Sequence, residues 1–173
     1  MGIVAFLSDK LSRARNYGAA KGSIYDQSFK TLAGKTVDLS NYKDKNLLIV
    51  NTASKCGYTY QYEELQQLHE QYGNDIVVLG FPANNFLWQE PGDNKSIEEF
   101  CQVNYGVTFP ISEKTSVKGA DVHPVFKWLA AKTGRAPSWN FCKYLITNKG
   151  SDVQFFSSTV SPLDEKIVRA IRN

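Results

Sequence analysis

Cys56 is the residue best placed to do chemistry. It stands in the segment Asn51-Thr52-Ala53-Ser54-Lys55-Cys56-Gly57-Tyr58-Thr59. A strand-like run, Asn46-Leu47-Leu48-Ile49-Val50, leads in, and a helix-like run beginning near Thr59 leads out. A cysteine at such a turn lies near the unpaired amide N–H groups of a helix start, which favour negative charge. The negative form of cysteine is the thiolate, its reactive form. The local pattern therefore nominates Cys56 as a nucleophile or redox thiol.

The remaining reactive side chains are few. Cys101 and Cys142 complete a set of three cysteines that are far apart, with no CxxC and no Cys/His ligand spacing. That pattern argues against zinc. Only His69 and His123 could serve a Cys–His pair. His69, among Gln and Glu, reads as exposed; His123, before Pro124, reads as a cap or surface residue. Sparse cysteine fits a reducing compartment better than a disulfide framework, so the expected location is cytoplasmic.

These side chains need elements to hold them. Ile24-Tyr25 and Thr36-Val37-Asp38-Leu39, with Gly34 between, read as a preliminary hairpin. Asn46–Thr52 reads as a buried strand. Tyr62, Leu65, Leu68 and Tyr72 then recur at helical spacing, with Gly73 as the stop. Asp75–Phe81 is a second apolar strand. Ser96-Ile97-Glu98-Glu99 has the form of a capping box and opens a short helix. Its Ile97, Phe100 and Cys101 fall at i, i+3 and i+4, which puts Cys101 on the core face. Val122–Lys132 reads as another helix.

The C-terminal third reads as a hairpin, strand Phe141–Thr147 and strand Val153–Phe156 about the turn Asn148–Ser151. A last helix follows, with Ser161 as N-cap, Pro162 at its first position and Leu163, Ile167, Ala170 and Ile171 on its apolar face. This order predicts an α/β domain: a parallel core extended by an antiparallel hairpin, with helices on both faces. The length, 173 residues, suits one domain. A net charge of +3 without a dense basic run gives no case for nucleic acid. No stretch approaches the ~20 apolar residues of a membrane span. Residues 1–22 read as an N-terminal extension, with a short basic amphipathic helix over 3–16, and 23–173 as the domain.

Several segments in order resemble the glutathione peroxidases. Val50–Thr59 resembles their nucleophile motif, and Leu79-Gly80-Phe81-Pro82-Ala83-Asn84-Asn85-Phe86 followed by Gln89-Glu90-Pro91-Gly92 their second. Trp139-Asn140-Phe141 resembles their third. Tyr105–Pro110 and Ser161-Pro162-Leu163 are also similar to family segments. The resemblance spans about Ser23 to Asn173. It implies a thioredoxin-like fold, with a central mixed β-sheet flanked by helices and an N-terminal hairpin. It also implies reduction of hydrogen peroxide or organic hydroperoxides by Cys56 through a sulfenic acid. Trp139 and Asn140 match two of the family's neutral donors, and Asn85 stands at the position of the third, a glutamine. No cofactor or metal is implied; glutathione or thioredoxin is the reducing co-substrate.

The second motif departs from the family at three positions. Ala83 stands where cysteine is usual, Asn85 where glutamine is, and Leu87 where glycine is. The resemblance makes the missing cysteine the usual resolving thiol. Without it the expected reductant is a small external thiol such as glutathione, with Cys142, two residues after Asn140, as another candidate resolver. Gln89 is a carboxamide of suitable type but reads as loop structure. Lys55 and Lys143 read as solvated lysines, and Trp88 as a packing or loop anchor or an apolar rim for an organic peroxide. Changes at Ala83 and Asn85 also motivate an alternative, a non-turnover peroxide sensor or interaction protein. The short stretch Lys132–Ser138, where tetrameric relatives carry an interface loop, leans towards a monomer.

Overall fold

The computed structural model describes residues 17–172, so the amphipathic run over 3–16 lies outside the described residues. The central sheet has four strands: β3 (Asn46–Thr52), β4 (Ile76–Pro82), β5 (Lys143–Thr147) and β6 (Asp152–Phe156), in spatial order β4-β3-β5-β6. β3 and β4 run parallel through the crossover helix α1 (Gln61–Tyr72), while β5 and β6 add on antiparallel. A parallel pair needs such a crossover, whereas an antiparallel pair closes through a tight turn.

Alternation along β3 and β4 divides the apolar side chains between two cores. Leu47, Ile49, Val77, Leu79 and Phe81 pack with Phe126, Leu129 and Tyr144 on one face. There lies helix α3 (Pro124–Thr133), which begins on His123, whose ring nitrogen accepts from the Val125 N–H. Leu48, Val50, Ile76, Val78 and Leu145 pack on the other face with Tyr62, Leu65, Leu68, Ile97, Ile167 and Ile171. These residues come from α1, helix α2 (Asn94–Tyr105) and helix α4 (Glu165–Arg172). Cover on both faces explains why β3 and β4 read as continuous apolar runs.

Several element boundaries differ from the sequence expectation, each for a local reason. The N-terminal hairpin pairs β1 (Ser28–Lys30) with β2 (Thr36–Asp38), not Ile24-Tyr25. Ile24–Asp26 instead form one 3-10 turn, closed by reciprocal bonds between Ser23 and Asp26. Helix α2 starts two residues before Ser96, because Asp93 is the true N-cap and accepts from the Ser96 N–H at 2.8 Å. It ends where Gly106 turns left-handed, φ 57°. Helix α4 starts at Glu165; Ser161 caps only the preceding turn, and Asp164 accepts from the Lys166 N–H. Strand β5 begins at Lys143 and not at Phe141, since Phe141 has φ 62° and cannot sit in a strand.

Candidate active site

Cys56 lies in the loop between β3 and α1, partly exposed. The loop is tied from within. The Thr59 hydroxyl donates to the Ala53 carbonyl at 2.9 Å and accepts from the Cys56 N–H at 3.0 Å. Helix α1 begins at Gln61, two residues later than expected, so its first turn is not what meets the sulfur. The Tyr58 N–H does, at 3.4 Å from Sγ.

The second segment is the loop after β4. Asn84 Oδ1 accepts from the Glu90 N–H at 2.9 Å and closes it. Leu87 and Trp88, at its tip, are consecutive left-handed residues with φ 50° and 53°. Leu87 thus takes the kind of backbone a glycine would take, at a strain cost. Both side chains stand out in solvent. Gln89 follows, and its carbonyl accepts from the Lys55 N–H at 3.0 Å. That bond joins the second loop to the residue preceding Cys56.

The third segment is Trp139-Asn140-Phe141. Asn140 is fully buried, and its Nδ2 donates to Gln89 Oε1 at 2.7 Å. Trp139 packs on Phe86, with ring centroids 5.7 Å apart. Asn51, at the end of β3, holds this turn twice. Its Nδ2 donates to the Trp139 carbonyl at 2.9 Å, and its own carbonyl accepts from the Phe141 N–H. Ser158 Oγ donates to the Asn140 carbonyl at 2.6 Å.

Gln89 therefore links the Cys56 segment to Asn140 through its backbone on one side and its side chain on the other. Asn85 is placed elsewhere. Its Nδ2 donates to Ser116 Oγ at 3.0 Å and its Oδ1 accepts from the Val117 N–H at 2.8 Å. Both ends of its carboxamide thus brace the 116–117 segment. Sequence reasoning assigned Gln89 to loop structure; its residue type was the available signal. Asn51, Thr59 and Ser158 were missed altogether, since a buried hydroxyl or amide has no signature in one sequence.

The other reactive side chains are less accessible. Cys101 is 1 % exposed, on the core face of α2 as its spacing predicts. Burial pushes its thiol up to about 11. Cys142 is fully buried beside Ser138 and Ser158. The left-handed Phe141 breaks the alternation on which a shared Asn140–Cys142 face depended. His69 is half-buried against Phe109, and burial lowers its pKa. Lys143, expected in solvent, is fully buried. A cleft of about 360 Å³ adjoins the Cys56 segment, lined by Ser54, Lys55, Glu90, Gly92, Ser96 and Phe100. Burial raises the Glu90 carboxyl above its ordinary range.

Among the described residues, no group of three or more His, Cys, Asp or Glu side chains could hold a metal ion. No helix there is long and apolar enough to cross a membrane.

Comparison with known proteins bears on the family and the fold. The family model described as "Glutathione peroxidase" matches residues 24–130. The chain is 48% identical over 149 residues to the glutathione peroxidase homolog BsaA of Halalkalibacterium halodurans, covering 83% of this chain and 95% of that protein. It superposes on the crystal structure of Trgpx in apo form with a TM-score of 0.69 and 38% identity, over 88% of this chain and 97% of that one. A thioredoxin family protein of Chlorobium tepidum superposes with a TM-score of 0.58 at 16% identity, over 91% of this chain and 98% of that one; this bears on the fold alone. The fold is thus thioredoxin-like, and the chain belongs to the glutathione peroxidase family of peroxide-reducing oxidoreductases.

Proposed function

We propose that the protein is a thiol peroxidase with Cys56 as its nucleophile. The Cys56 thiolate attacks the terminal oxygen of a hydroperoxide. The S–O bond forms as the O–O bond breaks, leaving a sulfenic acid, and the departing oxygen takes a proton to become water or an alcohol. The observation that carries the reading is the Gln89 bridge, which sets a carboxamide pair, Gln89 and Asn140, beside the Cys56 segment. Neutral donors of this kind stabilise the thiolate and the charge developing on the leaving oxygen. Trp139 and Asn140 take that role here. Gln89 supplies the third donor, because Asn85 spends its carboxamide on Ser116 and Val117.

The sulfenic acid must then be reduced. An external thiol such as glutathione attacks its sulfur and expels water, giving a mixed disulfide; a second thiol releases Cys56. Burial of both Cys101 and Cys142 favours this route in the folded state. One observation favours a second route. Cys56 packs against the same apolar cluster that contains Cys101, so an opened α2 could deliver Cys101 for an internal disulfide that a thioredoxin reduces. A disulfide requires the two Cα atoms within roughly 7 Å.

The test is single-turnover peroxide consumption by Cys56→Ser, Cys101→Ser and Cys142→Ser, followed by steady-state turnover with glutathione or thioredoxin. Loss of the first equivalent in Cys56→Ser alone supports the reading. A protein that consumes one equivalent and turns over with neither reductant is a sensor or interaction protein instead.

A further inference from the structure

Lys143 stands out because nothing in the peroxidase reading uses it. It opens β5, in register with Val50 of β3 and Phe156 of β6. An apolar residue would suit that place, yet the side chain is a lysine with no exposed surface. Burying an ammonium group costs stability unless it is well partnered. Its side chain donates from Nζ to the Phe141 carbonyl, at 2.8 Å. Phe141 is the left-handed residue that ends the Trp139-Asn140 turn. A bulky residue in that conformation persists only when its surroundings over-determine it.

We propose that Lys143 is a positioning residue: by holding the Phe141 carbonyl it keeps the turn in the conformation that aims Asn140 at Gln89. The proposal rests on the peroxidase reading and deepens it. Each peptide group of the turn has a clamp. Asn51 takes the Trp139 carbonyl and the Phe141 N–H, and Ser158 takes the Asn140 carbonyl. Lys143 takes the last carbonyl from inside the core. Without it the Phe141 peptide is free to rotate, and Asn140 loses its fixed approach to Gln89. A stable fold does not need this lysine, because Met fills the same space without a charge.

The ionisable groups facing Lys143 are Cys142 beside it and Glu64 of α1; β3 and β6 present Val50 and Phe156. Desolvation brings its pKa down to about 8, opposed by those two groups. Below that pH the bond to Phe141 is charge-assisted, and above it the neutral amine donates more weakly.

The experiment begins with the intact protein consuming one equivalent of peroxide. Failure there overturns the peroxidase reading and, with it, the role of Lys143 that rests on it. With that shown, Lys143→Met is compared in thermal stability and in the second-order rate of Cys56 oxidation. A displaced catalytic group commonly costs tenfold to about 100-fold, so a loss in that range is expected, with stability no lower. Asn140→Ala should cost about as much, and the double variant little more than either, since both losses pass through Asn140. A Lys143→Met rate within twofold of the parent, or losses that simply add, overturns the proposal. If Lys143→Met fails to fold, the pH profile of the parent protein decides. A rate that declines as pH rises from about 7 to about 9 supports the role, and a rate that keeps rising overturns it.

Discussion

Asn140 and Gln89 meet through one hydrogen bond, Nδ2 to Oε1 at 2.7 Å, across 51 residues of sequence. Gln89 also accepts through its carbonyl from the Lys55 N–H, one residue before Cys56. A single glutamine thereby couples the loop after β3, the loop after β4 and the turn before β5. The partly exposed sulfur of Cys56 receives its own amide from Tyr58. The site is a convergence of three loops at the end of the sheet where β3 and β4 finish, the usual place for function in an open α/β sheet.

Cys56→Ser should abolish consumption of the first equivalent of peroxide. Cys101→Ser and Cys142→Ser should retain it, because both thiols are buried. Stopped-flow peroxide loss under single-turnover conditions measures this. Undiminished consumption by Cys56→Ser would remove the central assignment.

Trp139→Phe, Asn140→Ala and Gln89→Ala should each slow Cys56 oxidation by on the order of 100-fold while leaving the fold intact. Asn85→Ala should behave differently. It should cost about 1–3 kcal/mol of stability, since it strands the Ser116 and Val117 groups, with a small effect on rate. Urea unfolding beside the kinetics separates the two classes. A large rate loss in Asn85→Ala without destabilisation would return the donor role to Asn85.

Reduced protein treated with one equivalent of peroxide should carry a sulfenic acid at Cys56 and, once glutathione is added, a mixed disulfide there. Mass spectrometry of trapped cysteines reads both states. A rapid Cys56–Cys101 disulfide would instead show that α2 opens on oxidation and that the resolving thiol is internal. Ala83→Cys should gain no disulfide, since Ala83 is wholly buried among Phe81, Phe86 and their neighbours.

Cys101 makes stability depend on alkaline pH with a definite sign. Its thiol stays protonated up to about 11 in the folded chain, while the unfolded thiol ionises near 8.5. The folded state therefore binds more protons in that window, and stability falls as pH rises through it. The contribution is fully present below about 8.5 and gone above about 11. Cys101→Ala should flatten this part of the profile relative to the parent protein, as followed by chemical unfolding at pH 8, 9 and 10. An identical slope in the two proteins would show that the thiol is solvated.

Much of this protein is determined by local sequence. The apolar runs of β3 and β4, the i, i+3, i+4 spacing that buries Cys101, and the strand–turn–helix setting of Cys56 follow from periodicity and turn chemistry within a few residues. The peroxidase family, too, is legible, because its motifs are contiguous stretches. The caps shifted by three residues, to Asp93 and Asp164, because several side chains near a helix start can accept the same N–H groups. Only the tertiary structure decided which carboxamide meets Asn140 and which lysine is buried. Asn85 and Gln89 lie four residues apart on one loop, yet the left-handed pair Leu87 and Trp88 turns the chain between them. One then reaches Ser116 and Val117 and the other Asn140. Lys143 reads as a surface residue until the sheet closes over it. The left-handed turn at Phe141 then presents a carbonyl inside the core, and a lysine amine is long enough to reach it. Such partners are chosen by the packing of distant segments, which no local window of sequence contains.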